Sequence, residues 1–248
     1  MRVIFSRKGF DSASGGGPSP VVDGRPVSLP IPAGIVSRTS YAHLDLAEHA
    51  RKASRGRVRG GDLCHHDPMF LPAGEHGRTC LFGQCGAAQT HLVNRGVGRG
   101  DVFLFFGLFR EEATGEPHHR IFGYLEVAER IDLARCDSGA LAELRAIGHP
   151  HAIAMHARND AIYRGPGRLA ATAPDALRLT VPGGPPSLWR RPEWLRRGGL
   201  SYHDRADRWL PGGRLRAVSR GQEFVADVGR REAPREWLAR VIDAIKAS

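Results

Sequence analysis

The run Asp101-Val102-Phe103-Leu104-Phe105-Phe106-Gly107-Leu108-Phe109 constrains this chain more than any other stretch. Successive side chains of a strand point to opposite faces, so a run apolar at every position must be covered on both sides. His119-Arg120-Ile121-Phe122-Gly123-Tyr124-Leu125-Glu126-Val127 supplies a partner, and the polar stretch from Arg110 to Pro117 lies between them. The spacing predicts a β-hairpin at the centre of a sheet, with Arg110 and His119 emerging together at one end.

Other segments add helices and short strands around that hairpin. Val3-Ile4-Phe5 reads as a buried strand, and Pro26 to Pro32 as a short edge segment. Helical spacing covers Ser40 to Ala53, a stretch that the small residues of Leu81 to Leu92 lead into and that ends at Asn94 to Gly96, and Ser138 to Ala146; Leu177 to Val181 reads as a strand. Glu232 to Ala247 places Trp237, Leu238, Val241, Ile242 and Ile245 on one side of an amphipathic helix. The elements alternate irregularly and no repeat is visible. The expected architecture is α+β: a single mixed domain with a largely antiparallel, partly barrel-like sheet flanked by helices.

No run of about 18 apolar residues occurs and no signal-peptide layout opens the chain, so a cytoplasmic protein without membrane contact is expected. Cys64, Cys80, Cys85 and Cys136 fit free thiols in a reducing compartment. The formal charge is +10 with a pI near 10.3, and lysine occurs only at 8, 52 and 246, so arginine carries the charge. A polyanionic partner is consistent with that balance.

Four clusters carry candidate chemistry. Ser6-Arg7-Lys8-Gly9-Phe10-Asp11 runs into Ser14-Gly15-Gly16-Gly17-Pro18-Ser19-Pro20, a polar glycine-rich loop after a strand, suited to an anion although it matches neither the P-loop nor the dinucleotide fingerprint. Asp62-Leu63-Cys64-His65-His66-Asp67-Pro68 sets two imidazoles beside a carboxylate in an expected exposed turn, an arrangement for general-base work or metal binding. Gly83-Gln84-Cys85-Gly86 leads into a helix that carries His91, and Cys85 at that N-terminus is a candidate nucleophile of lowered pKa. From Ser187 to Gln222, Trp189, Trp194, Tyr202 and Trp209 alternate with nine arginines, Arg190, Arg191, Arg196, Arg197, Arg205, Arg208, Arg214, Arg216 and Arg220. That pattern suits either a base-stacking platform or a satellite core under extended arginines. No metal ligands are assigned, because the cysteines lack a C-x-x-C and Cys80 to Cys85 is C-x4-C.

Taken in order, the opening motif, His65-His66-Asp67-Pro68, Gly83-Gln84, His91-Leu92, the hairpin, Leu200-Ser201-Tyr202-His203 and Gly221-Gln222-Glu223-Phe224-Val225 resemble the third nucleotide modification associated domain family over nearly the whole chain, residues 1–248. That family is named for its company with DNA base-modification systems in phages and bacteria. The resemblance implies a role in making, processing or recognising modified nucleotides, with a nucleotide or DNA and other DNA-modification proteins as partners; it supplies no mechanism and no cofactor.

The resemblance raises Ser6, Arg7, Lys8, Asp11, Ser19, His65, Asp67, Gln84, His91, Arg110, His119, Tyr202, His203, Gln222 and Glu223. As an enzyme, the chain would hold phosphate with Arg7, Lys8 and Arg110 and draw acid–base groups from Asp11, His65, Asp67 and His91, with Ser6, Ser19, Gln84, His119, Tyr202, His203 and Gln222 completing the substrate site. As a reader of modified bases it would use the Trp189 to Trp209 region without chemistry. A third alternative is a metal-dependent hydrolase using His65, Asp67 and His91.

Overall fold

The computed structural model describes residues 1–74, 78–219 and 221–247. In chain order the elements are β1 (Arg2–Arg7), β2 (Ser19–Val22), β3 (Arg25–Pro26), α1 (Ala47–Ala53), β4 (Met69–Phe70), β5 (Thr79–Gln84), α2 (Gly86–Asn94), β6 (Val102–Glu111), β7 (Pro117–Glu126), β8 (Glu129–Asp132), α3 (Ser138–Ile147), α4 (Pro150–Ile153), β9 (Ala161–Leu169), β10 (Leu188–Arg190), β11 (Trp209–Leu210), β12 (Arg214–Arg216), β13 (Glu223–Asp227) and α5 (Glu232–Ala247). The large sheet runs β13-β1-β6-β7-β9-β5-β4, with β2, β3 and β8 attached beside it, and β10-β12-β11 forms a small second sheet. Only β1 with β6 and β2 with β6 pair in parallel; the other strand pairs are antiparallel. This is the mixed α+β, largely antiparallel and partly barrel-like sheet predicted from sequence.

The two-faced apolar run explains the layering. On β6, Val102, Leu104 and Phe106 enter one core while Phe103, Phe105 and Phe109 enter another, and β1 does the same with Val3 and Phe5 against Ile4. The first core is closed by α5 through Leu238, Val241, Ile242 and Ile245 and by Trp189 and Leu215 of the small sheet. The second fills the concave side of the curled sheet, where Phe82, Tyr163 and Val225 meet Leu92 of α2. Curling brings opposite ends of the strand order together: the Gln84 side chain at the end of β5 reaches Glu223 at the start of β13.

The tight segments differ from their sequence reading where backbone conformation intervenes. Ser40 to Ala53 is not one helix: a 3₁₀ turn at Ala42–Leu44 stops at Asp45, which adopts φ 56°, and α1 begins at Ala47. Of Pro26 to Pro32 only Pro26 pairs in a strand. Leu177 to Val181 forms isolated bridges, with Leu179 donating to the His119 carbonyl at 2.9 Å, because the following Pro182-Gly183-Gly184 turn ends any ladder.

His119 lies inside this frame. Its Nδ1 accepts from Trp189 Nε1 at 3.0 Å, and burial, aided by Arg7, pushes its pKa down to about 3. The unfolded imidazole titrates near about 6.5. Between those values the unfolded chain binds the extra proton, so stability falls with falling pH, by about 1.4 kcal/mol per pH unit for this group. His119→Gln keeps an acceptor for the indole and removes the titration; urea denaturation from pH 7 to pH 4 should show a slope shallower by about one proton. An identical slope in parent and variant would mean that His119 binds its proton equally in both states.

Candidate functional site

The described C-terminal end of β1, the end of β5, the turn around Asp67 and the segment after α4 surround a cavity of about 490 Å³, lined by Arg7, Lys8, Asp11, His65, Asp67, Gln84, Cys85, His151, His156 and Gln222 among others. Several strand registers produce this meeting. Ser6 pairs with Glu223 across β1 and β13, so Arg7 and Lys8 leave the sheet beside Gln222. Gln84 pairs with Ala161 across β5 and β9, so Cys85 and Gly86 meet Asn159 and Asp160 just ahead of β9. Asn159 fixes that junction, accepting from the Gly86 N–H at 2.8 Å and donating to the Gly86 carbonyl at 2.9 Å.

One wall is a carboxylate hub. Glu223 is buried, and its Oε1 accepts from Ser6 Oγ at 3.0 Å, Lys8 Nζ at 3.1 Å and Gln84 Nε2 at 2.8 Å. Lys8 Nζ also lies 4.2 Å from the centre of the Phe82 ring, which adds a cation–π contact. Arg7 is held differently: its guanidinium donates to the Ser219 and Val218 carbonyls, each at 2.6 Å, and among the described residues it forms no direct ion pair, although the Asp11 carboxylate counters the lowering of its pKa by burial.

The opposite wall is built of imidazoles around two buried carboxylates. Asp67 Oδ1 accepts from the Gly83 N–H at 2.9 Å and lies 3.6 Å from His149 Nε2; Oδ2 lies 3.7 Å from His65 Nε2 and 3.9 Å from His151 Nε2. Asp160 Oδ2 accepts from the His156 backbone N–H at 2.6 Å and sits 3.5 and 3.8 Å from the Nδ1 atoms of His151 and His156. His151 and His156 stack at 4.3 Å, with His65 edge-on to both at 5.1 and 5.2 Å. Gly83 makes room for this packing, since a Cβ there would lie 2.3 Å from the His151 ring.

Burial sets the charge states. It pushes His149 and His151 down to about 3, against the pull of Asp67, so both are neutral at pH 7. Burial opposes ionisation of Asp67, but the approach of His65, then His149 and His151, outweighs it and holds the carboxyl below its ordinary range. Cys85 is pushed up, by burial and then by Asp160, so the thiolate expected at the α2 N-terminus is disfavoured: the nearby carboxylate outweighs the helix end.

The residues singled out in the sequence divide into two groups. Arg7, Lys8, Asp11, His65, Asp67, Gln84 and Gln222 line one cavity, with Ser6 behind them on Glu223. Asp11 turns its Oδ1 to the Ala13 and Ser14 N–H groups and so caps its own turn. The glycine run beside it packs away from the cavity; a Cβ at Gly17 would meet the Ala53 carbonyl of α1 at 2.3 Å. The Asp67 side chain is covered, 3% exposed, and not displayed on an exposed turn, because the short β4 that follows pairs with β5 and tucks it under Gly83.

Ser19, His91, Arg110, His119, Tyr202 and His203 lie elsewhere. Ser19 Oγ accepts from the Leu29 N–H, and His203 bridges the Ser201 carbonyl and the Val218 N–H. His91 contacts Ser201 Oγ at 3.1 Å and stacks on the exposed Tyr202 ring, while Arg110 is exposed near the hairpin tip. Cys64 lies in the small core around Phe10 and Tyr41, and His66 faces an adjoining cavity of about 860 Å³ that shares Lys8, Gly9 and Asp67 with the first.

A family model described as nucleotide modification associated domain 3 matches residues 2–227 of the 248. The chain belongs to this nucleotide modification associated domain family. No curated protein and no solved structure matches it. Membership ties the chain to nucleotide modification in general terms, and among the described residues no helix is long and apolar enough to cross a membrane.

Sequence reading did not single out His149, His151, His156 and Asp160. The available signal was density, three of twelve histidines within eight residues, followed by an Asn-Asp turn before a strand.

Because Glu223 binds three donors from β5 and the β1 end, Glu223→Ala should cost on the order of 3 kcal/mol by leaving the largely covered Lys8 without its partner. Adding Lys8→Met should recover at least about 1 kcal/mol in a double-mutant cycle measured by urea denaturation. A single variant within about 0.5 kcal/mol of the parent would remove the hub from this account.

Proposed function

We propose that this protein is an enzyme of nucleotide or DNA-base modification, with residues 1–248 acting as one domain and the 490 Å³ cavity as its active site. The observation that carries the reading is the meeting of a guanidinium bonded to carbonyls rather than to a carboxylate, the Gln222 amide and an imidazole cluster in one concave space. Arg7 serves a phosphate, for which a preorganised fork not already paired to a carboxylate is suited. Gln222 offers an amide to a base edge, while Gln84, bonded to Glu223 and the Cys85 N–H, holds the wall beside it. His65, backed by Asp67, with His151 and His156 supplies the reactive centre, a combination of imidazole and carboxylate that pure binding does not require. α5 is counted in the domain because its apolar side packs into the core shared with Val3 and Phe224.

The alternative of a base reader built on tryptophans draws less support. Trp189 is buried and bonded to His119, Trp194 packs on Trp237, and Trp209 donates to the His203 carbonyl, so these rings are committed to the fold. Many arginines of the same stretch are tied to local partners, as Arg190 is to Asp175 and Arg205 to Asp207; Arg220 lies outside the described residues.

Nucleosides from DNA of cells carrying the surrounding modification system should lose a modified species when His65→Ala replaces the parent, while calorimetric affinity for a nucleoside monophosphate stays within about threefold, as expected for a group that acts in chemistry more than in binding. Arg7→Gln should weaken that affinity by roughly 10- to 100-fold, the range of a charge-assisted hydrogen bond. An unchanged nucleoside profile in both variants, with the protein still retained on modified DNA, would favour the reader.

A further inference from the structure

The imidazole cluster has a geometry that acid–base chemistry does not demand. One ring nitrogen from each of His65, His151 and His156 lies within 4.8 Å of the other two. Each of the three rings has a carboxylate near it: Asp67 for His65, Asp160 for His156 and both for His151. Carboxylates behind metal-binding imidazoles fix ring orientation and strengthen the donor, a pattern that recurs at metal centres. The Nδ1 atoms of His151 and His156 are buried and, apart from the approach of Asp160 at 3.5 and 3.8 Å, make no hydrogen bond among the described residues, as is true of His149 apart from the approach of Asp67 at 3.6 Å. Such groups are costly unless something binds them.

We propose that His65, His151 and His156 bind one divalent transition-metal ion, zinc by preference, with the remaining coordination position open to the cavity. Three imidazoles without a thiolate suit zinc, and three protein ligands with an open position are the arrangement of catalytic rather than structural sites. The position faces the cavity because His65 and His156 are only partly covered and line it, whereas His151 anchors the set from the core. A second grouping, Cys85, His151 and Asp160, shares His151. Its carboxylate is already engaged by the backbone N–H groups of His156 and Ala157, at 2.6 and 3.1 Å, which favours the three-histidine set. The set differs from the His65, Asp67, His91 combination suggested by the sequence, since His91 lies against Ser201 and Tyr202.

This inference goes beyond the nucleotide reading and does not depend on it, because metal alone is the probe. The full chain, stripped with EDTA and dialysed, should take up one equivalent of Zn²⁺ per chain by calorimetry and elemental analysis, and Co²⁺ should give the d–d absorption of a low-coordinate site. His65→Ala and His156→Ala, both at partly exposed positions, should weaken Zn²⁺ binding by more than the roughly 10- to 100-fold that loss of an outer-shell partner costs, while His91→Ala binds as the parent. Circular dichroism melts in EDTA separate lost binding from lost folding. Stoichiometric binding that vanishes in the two ligand variants supports the site. Absence of a stoichiometric site in the parent, or equal affinity in the folded ligand variants, overturns it, and neither result bears on whether nucleotide binds at Arg7.

Discussion

The interaction on which the site depends is the threefold acceptance at Glu223. A curled sheet of this kind leaves its two ends facing each other across an open side, and side chains must join them if a cavity there is to keep its shape. Glu223 from β13 joins Ser6 and Lys8 of the β1 end to Gln84 of β5 through one carboxylate oxygen. Charge-assisted bonds in a buried setting are directional and strong, so the wall carrying Arg7, Lys8 and Gln84 is fixed before any ligand arrives. Its other oxygen, Oε2, is buried without a partner among the described residues, which leaves a strong acceptor beside the cavity.

Across the cavity the same economy of buried carboxylates holds. Asp67 and Asp160 each face several imidazoles and also accept backbone N–H groups, at Gly83 for the first and at His156 and Ala157 for the second. The carboxylates are thereby anchored to the backbone and the rings are positioned by them. Burial keeps His149 and His151 neutral, so each keeps an imidazole lone pair free of a proton. An arginine-bearing wall opposite a carboxylate-backed imidazole wall is a polarised site, suited to a substrate with an anionic end and a reactive end.

The basic, aromatic stretch from Ser187 to Gln222 has a different place in the molecule. Its tryptophans cover the outer face of the sheet together with α5, and indole N–H groups find acceptors at His119 and His203. Arginines there donate to carbonyls and nearby carboxylates, as Arg191, Arg208 and Arg214 do to backbone oxygens. Trp189 thus belongs to the core shared with α5, Trp194 and Trp209 pack against it, and Tyr202 stays exposed.

Patterns with a short period were legible in the chain itself. The doubly apolar run predicted a central hairpin, and β6 and β7 form it; the amphipathic spacing of Glu232 to Ala247 predicted α5, and the opening apolar run predicted β1, because each records the two environments its side chains must satisfy. The pairing of His65 with Asp67 and the polar end of β1 were also legible, being contiguous. Tertiary structure alone decided that the Asp67 side chain is covered, that the glycines of the opening loop pack on α1, and that His151, His156 and Asp160 join His65. Those outcomes depend on which strands pair and in what register, and a register fixed by non-local contacts leaves no periodic mark on the segments that it brings together.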